Sequence, residues 1–123
     1  MYSLVKFYLQ KRHKEYIMNN LLEALVIWKE KKAKVFKIEE FTADMEDELE
    51  HELQARFIEI EGNGVLAKAL LFEDGFLELT AQDQENKKKF IDTSCTIEQT
   101  YELDDKLNSW FNEVADYDED EED

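Results

Sequence analysis

All three glycines of the chain lie in two short turn sequences, Gly62-Asn-Gly64 and Glu73-Asp-Gly75. The first is typical of a tight β-hairpin, and the second of a turn between two strands. The segments on either side of both turns are rich in apolar and aromatic residues. The chain also contains no proline, and this scarcity of structure-breaking residues favours short connections between elements. Residues 55–80 are therefore predicted to form a three-stranded antiparallel meander.

Two amphipathic segments flank this meander. Residues 14–32 carry apolar side chains at helical spacing and are predicted to form a helix. Thr96-Ile-Glu-Gln99 matches a capping box, which predicts another helix over 97–115. The apolar stripes consist of Ile17, Leu21, Leu25 and Trp28 in the first segment and of Leu103, Leu107, Trp110, Phe111 and Val114 in the second.

A further helix is predicted over 43–53, with Thr42 as its N-cap. Its apolar stripe is narrow, formed by Met45, Leu49 and Leu53, and its other positions are mostly acidic. Carboxylates four residues apart repel one another on a helix and destabilise it by a few tenths of a kcal/mol each. A helix that tolerates this repulsion is expected either to have a binding role or to be a solvated face whose acids serve solubility alone.

The remaining segments complete an α+β fold. Residues 33–39 are predicted to form a short strand, 82–89 a loop and 90–95 a fourth strand. Residues 2–9 are apolar on both faces, which fits either a short buried strand or the start of a helix. We therefore predict an antiparallel meander sheet of three to five strands packed against N-terminal and C-terminal amphipathic helices, with the 43–53 helix at an edge.

The charge of the chain is distributed unevenly. Residues 1–38 contain nine Lys and Arg against three acids, whereas residues 39–123 contain six against 28, and the formal net charge is −16 at pH 7. Such a charge opposes folding through self-repulsion and acts mainly on association with other molecules. It indicates a basic partner. The predicted organisation is a single domain over 1–115 followed by an acidic C-terminal tail over 116–123.

No sequence pattern identifies a reaction. The chain has no glycine-rich phosphate loop, no Gly-x-Ser-x-Gly elbow and no Cys-x-x-Cys pair. Its single cysteine, Cys95, cannot form an internal disulfide. Glu48 and His51 have Glu-x-x-His spacing, but a di-metal helical site also needs a second such motif and two further carboxylates. We therefore expect no enzymatic activity, no catalytic residue, no metal ion and no cofactor.

The acids of the predicted 43–53 helix and of the tail are the candidate binding residues. Acids on one helix face lie roughly 6 Å apart, a separation that can imitate neighbouring phosphates on a nucleic-acid strand. Tyr117 is the one aromatic residue expected to be exposed, as an anchor in the tail. The predicted binding residues are Glu39, Glu40, Asp44, Glu46, Asp47, Glu48, Glu50, Glu52, Asp116, Tyr117, Asp118, Glu119 and Asp120.

The leading hypothesis is a small acidic binding protein that inhibits a basic, nucleic-acid-handling target by charge or nucleic-acid mimicry. Nucleases, restriction enzymes, CRISPR effectors and toxins have such basic surfaces, so the protein would act as a phage anti-defence (anti-restriction or anti-CRISPR) protein or as a toxin-immunity protein. The acidic tail and the high negative charge resemble those of phage anti-restriction DNA mimics, without any shared motif. Direct nucleic-acid binding is not expected, because the acidic majority of the chain repels phosphates.

The alternative hypothesis is a dimerising assembly or chaperone-like module. In this module the basic N-terminal third of one copy contacts the acidic region of another, although the same lysines are equally able to pair with acids of their own chain. The longest apolar cluster, residues 21–28, is interrupted by Glu23 and is too short to span a bilayer. We therefore expect a soluble, cytoplasmic protein without a membrane partner.

Overall fold

A computed structural model describes residues 20–50 and 53–118 and shows a five-stranded antiparallel sheet. The strands are neighbours in chain order from β1 to β5. The predicted α+β meander is therefore confirmed, with the predicted fourth strand after the first three and one unpredicted strand before them. The strands are β1 (Thr42–Glu50), β2 (Leu53–Gly62), β3 (Val65–Phe72), β4 (Phe76–Asp83) and β5 (Lys89–Thr96).

Helices pack on one face of this sheet. Residues 20–31 form α1, which confirms the predicted first helix from residue 20 onward. The expectations for residues 2–9 and for a helix start at Lys14 lie outside the described residues. The other two helices are α2 (Ala33–Ile38) and α3 (Thr100–Ala115).

The two faces of the sheet differ in what they carry. We call one face the helix face, because its residues Ile58, Ala69 and Leu79 share one buried core with Leu25 of α1 and Leu107 of α3. We call the opposite face the open face, because none of the helices described within 20–50 and 53–118 packs on it. Alternate residues of a strand point to opposite faces, so the strand register assigns every described sheet position to one face or the other.

The prediction of a helix over 43–53 is wrong, because residues 42–50 form strand β1. Thr42 is the first residue of this strand and pairs with Glu61 of β2, rather than capping a helix. The misleading pattern was the spacing of Met45 and Leu49, because four residues correspond to one helical turn and also to two full periods of a strand. Pairing along the whole of β2 decides in favour of the strand.

The prediction of a strand over 33–39 is also wrong, because Ala33–Ile38 is helix α2. Phe36 explains the difference: it is buried, and its ring lies 5.9 Å from that of Trp28 and 5.1 Å from that of Phe111, both edge-on. A single turn and a half of helix is marginal alone, so this tertiary packing stabilises it. The packing leaves Val35 and Ile38 exposed.

The C-terminal helix begins later than the capping-box pattern predicts. Thr96 is the last residue of β5, and α3 begins at Thr100 with Gln99 as its N-cap, which makes no side-chain capping bond. The capping-box prediction is therefore wrong, whereas the predicted fourth strand is confirmed as β5. The predicted apolar stripe of α3 is confirmed, since all five of its residues are buried: Leu103, Leu107, Trp110, Phe111 and Val114.

The β2–β3 hairpin turn also holds the end of α3. Asn63 has the left-handed φ of 52° that this turn requires, and its Nδ2 donates to the carbonyl oxygens of Val114 at 3.1 Å, Ala115 at 3.2 Å and Tyr117 at 2.9 Å. The last carbonyls of a helix lack partners within the helix, so this side chain acts as a C-terminal cap supplied by a distant turn.

Replacing Asn63 with glycine is expected to lower the free energy of unfolding by about 1 kcal/mol, since glycine keeps the left-handed turn and removes only the amide donor. Asn63→Ala should cost about 2 kcal/mol, because it adds the strain of a positive φ. Urea unfolding of both variants measures the difference. A glycine variant as stable as the wild type would show that the cap contributes nothing.

Candidate functional site on the open face of the sheet

Four carboxylates lie together at one side of the open face. We call Asp44 and Glu46 of β1 and Glu59 and Glu61 of β2 the acidic rim. The strand register places Asp44 directly opposite Glu59 and puts Glu61 one pair further along, so the four positions share the open face. Positions two apart on a strand are about 6.8 Å apart. The rim is therefore a two-row array of negative charge.

One contact within this array is unfavourable for folding, because Asp44 lies directly opposite Glu59. Lys68 flanks Glu59 on the other side, and Gln84 Nε2 donates to Glu61 Oε2 at 3.0 Å. Like charges directly opposite on neighbouring strands destabilise the pairing, and Asp44 and Glu46 are exposed while Glu59 is half-buried. Charges on an edge strand such as β1 are common because they prevent pairing with another sheet. That explanation does not cover Glu59 and Glu61, because β2 is an interior strand.

Apolar side chains fill the middle of the same face. We call Phe57, Phe72 and Phe76, which keep part of their surface exposed, the apolar patch. Ala55 and Leu70 are buried although their positions face away from the helix layer. The rings of Phe72 and Phe76 lie 6.0 Å apart, and Phe76 is 36% exposed. An apolar centre bordered by charged residues is the usual composition of a protein-binding surface.

One lysine lies within this surface. Lys68 of β3 is opposite Glu59 in the register, and its Nζ lies 4.2 Å from the centre of the Phe57 ring. The attraction between a cation and an aromatic face is worth about 0.5–1 kcal/mol at exposed sites. The contact shows that the Phe57 ring can accept an ammonium group at the border between the rim and the patch.

The structure separates the acids that the sequence analysis grouped together. Asp44 and Glu46 belong to the rim, whereas Asp47 lies on the helix face, where its Oδ1 accepts a hydrogen bond from Arg56 Nε at 2.6 Å. Arg56 also donates to the carbonyl oxygen of Leu22 in α1. Asp47 therefore has an internal partner, although its side chain is still 71% exposed.

The other predicted binding residues are spread over the chain. Glu39 and Glu40 are exposed in the connection between α2 and β1, where Glu40 has a φ of 61°. Positions 48 and 50 belong to β1 on the same face as position 46, by strand alternation. Asp116 is the C-cap of α3, and Asp118 is exposed. Glu52, Glu119 and Asp120 lie outside the described residues.

Tyr117 is not the exposed anchor that its acidic neighbours predict. Its ring stacks on that of Phe90 with centres 4.0 Å apart, and its hydroxyl donates to Oδ2 of Asp83 at 2.9 Å. Asp83 is buried and also accepts hydrogen bonds from the backbone N–H groups of Glu85 and Asn86. These contacts attach the start of the predicted tail to the β4–β5 turn, so Tyr117 is half-buried.

Glu59 and Glu61 were missed as site residues in the sequence. Their alternation with Ile58 and Ile60 indicates that they lie on the strand face opposite the core. That they share this face with Asp44 and Glu46 follows only when 42–50 is recognised as the neighbouring strand. The helix prediction for that segment concealed the pairing.

The described residues show no metal-binding geometry. Across 20–50 and 53–118, no group of three or more His, Cys, Asp and Glu residues could hold a metal ion. The placement of Glu48 and His51 on one helix is wrong, because Glu48 belongs to strand β1. His51 lies outside the described residues. Cys95 is a free, half-buried thiol in β5.

In the described part of the chain, no helix is both long and apolar enough to cross a membrane. Comparison of the chain with models of protein families gives no match, and comparison with curated proteins gives none either.

Proposed function

We propose that the open face binds a basic surface on another protein, and that through this contact the protein inhibits a nucleic-acid-handling target such as a nuclease, a restriction enzyme, a CRISPR effector or a nuclease toxin. The observation that carries the proposal is the acidic rim, which places four carboxylates on one face of two paired strands. Their spacing of about 6.8 Å along each strand is suited to lysines and arginines that otherwise contact successive phosphates.

The overall charge supports the same partner chemistry. A net charge of −16 on 123 residues accelerates encounter with a basic protein and repels nucleic acid. Repulsion within the rim opposes folding, and a basic partner would relieve it on binding. The apolar patch beside the rim adds contact area that bare charge mimicry would lack, and such area slows dissociation once the charges have brought the partners together.

The test compares two variants with equal changes in charge. The rim variant carries Asp44→Asn, Glu46→Gln, Glu59→Gln and Glu61→Gln. The control variant carries Glu23→Gln, Glu30→Gln, Asp105→Asn and Glu113→Gln, four substitutions in the helix layer. Each immobilised protein is incubated with host lysate at low salt, eluted by a salt step, and the captured proteins are identified by mass spectrometry.

The rim variant is expected to bind the captured protein at least about tenfold more weakly than the wild type, and the control variant within about twofold. Duplex DNA should displace the wild-type protein from its partner, because both would occupy one basic surface. Equal capture by the rim variant and the wild type would contradict the proposal. Capture that duplex DNA cannot reverse would contradict the mimicry of nucleic acid.

A further inference from the structure

The open face carries apolar side chains where a solvated sheet face would carry polar ones. Antiparallel sheets that face water on one side normally alternate apolar residues toward the core with polar residues toward solvent. Here the outward positions include Leu70, which is 8% exposed, and the three phenylalanines of the apolar patch. Because none of the helices described within 20–50 and 53–118 packs on this face, its apolar side chains are suited to a cover from outside that part of the chain.

Residues 1–19, which precede the described part of the chain, have a composition that matches this face. Residues 2–9 read Tyr-Ser-Leu-Val-Lys-Phe-Tyr-Leu and are apolar at both alternating sets of positions. Residues 1–19 also contain four Lys and Arg residues against one acid, Glu15. A segment apolar on two sides gains free energy from burial against an apolar surface, and its positive charge favours a surface that also carries acids.

The described start of α1 lies at the same end of the sheet as the apolar patch. On the helix face, Arg56 Nη1 donates to the carbonyl oxygen of Leu22 in α1 at 3.2 Å. Arg56 precedes Phe57 in β2 and pairs with Leu71, the neighbour of Phe72 in β3. Only β1 lies between β2 and this edge of the sheet. The chain therefore reaches α1 beside the edge that separates the helix layer from the patch.

The segment is long enough to pass around this edge. Packed layers lie about 10 Å apart and neighbouring strands about 5 Å apart, so the path from the helix layer around β1 to the open face is about 30 Å. The nineteen residues before α1 span up to about 60 Å when extended, so about half of that length is left to lie along the face.

We propose that residues 2–14 cover the open face of their own chain. Their apolar side chains contact the apolar patch, and their basic side chains contact the acidic rim. Attachment to α1 holds the segment at a high effective concentration, so a contact of modest strength is enough to keep it in place. The net charge of −16 favours such a contact, because the segment brings positive charge to a pair of strands that repel each other. The basic residues are Lys6, Lys11, Arg12 and Lys14.

The cover occupies the surface to which the proposed function assigns a basic target. The contact itself does not rest on the proposed function, but one consequence of it does. A target has to displace residues 2–14 from the acidic rim, so the segment is an intramolecular competitor that weakens binding of weakly basic proteins more than that of strongly basic ones. The two ideas fail separately, because the contact is measured on the purified protein without any target.

The experiment is carbodiimide cross-linking of the purified full chain at low salt and about 1 µM, where weak self-association is negligible. Carbodiimide joins a lysine directly to a carboxylate that it contacts, and mass spectrometry identifies the linked peptides. An equal mixture of ¹⁵N-labelled and unlabelled protein distinguishes links within one chain from links between two. Lys6, Lys11 and Lys14 should be linked to acids of the rim, in peptides that carry one isotope only.

Two variants test the charge and the apolar part of the contact. Lys11→Glu with Arg12→Glu should lower the yield of the links from Lys6 and Lys14 to the rim by about fivefold or more, whereas the matched control, Lys88→Glu with Lys106→Glu, should change it by less than about twofold. Phe7→Ser should also lower the yield, because it removes an apolar contact without changing the charge. Circular dichroism verifies that each variant is folded.

Three results would overturn the inference. The first is a rim that is linked only to lysines outside residues 2–14. The second is a set of links found only in peptides of mixed isotope, since the cover would then come from a second copy. The third is a yield that neither segment variant lowers. The expected links, together with target capture that the rim variant leaves unchanged, would support the cover and contradict the proposed function alone.

Discussion

Replacing Gly75 with alanine is expected to lower the free energy of unfolding by about 3 kcal/mol or more. Gly75 has a φ of +96°, which side chains rarely adopt, and an added Cβ would collide with the carbonyl oxygen of Ile97. That oxygen cannot retreat easily. Ile97 is 2% exposed in the core, and its backbone N–H donates to the Gly75 oxygen at 2.8 Å.

Gly64→Ala is the matched control for this prediction. Gly64 also has a positive φ, +71°, but an added Cβ would meet open space. Its replacement should cost only about 1 kcal/mol, the conformational penalty without the collision. Urea unfolding followed by circular dichroism gives both values. Equal losses in the two variants would show that the contact with Ile97 is not the cause.

The two glycines also show which part of the fold the sequence could reveal. Turn chemistry is local, so Gly62-Asn-Gly64 and Glu73-Asp-Gly75 predicted the meander correctly. The close contact of Gly75 with Ile97 could not be predicted, because it joins residues 22 positions apart through the docking of the β5–α3 connection. A local pattern identifies a turn, whereas its stability also depends on what packs against it.

Segment 42–50 illustrates the opposite case, in which a local pattern misleads. Its apolar spacing fits a strand as well as a helix, and its acids suit neither, so only pairing with β2 decides the conformation. The error changed the candidate site as well as the fold. In the strand, Asp47 lies on the helix face beside Arg56, and Glu59 and Glu61 join Asp44 and Glu46 on the open face.

The strand changes the form of the proposed mimicry. A helix would present its acids around a cylinder, so that few of them could contact one partner surface at the same time. In the sheet, the acidic rim and the apolar patch are coplanar to within the sheet twist, and a single partner can contact both. Replacing one carboxylate is therefore expected to weaken binding only partly. The rim variant neutralises all four carboxylates and so removes the negative potential that they produce together.

Replacing Trp110 with alanine is expected to lower the free energy of unfolding by about 4 kcal/mol. Trp110 is 2% exposed, its ring lies 6.2 Å from that of Trp28, and its Nε1 donates to the Thr80 carbonyl oxygen at 3.1 Å. Trp28 in turn donates to Asn108 Oδ1 at 2.9 Å. The two indoles therefore join α1, α3 and β4, and removing one leaves a cavity where these elements meet.

Trp110→Phe separates packing from hydrogen bonding, because it retains an aromatic ring and removes only the N–H donor and part of the volume. It should cost about 1–2 kcal/mol. Urea unfolding followed by far-ultraviolet circular dichroism is suitable, since the fluorescence itself changes with the substitution. A loss in Trp110→Phe as large as that in Trp110→Ala would assign the effect to the hydrogen bond. Because Trp110 lies on the helix side of the sheet, folded Trp110→Phe is expected to leave the proposed binding by the open face unchanged, so that stability and the proposed binding are separable in one protein.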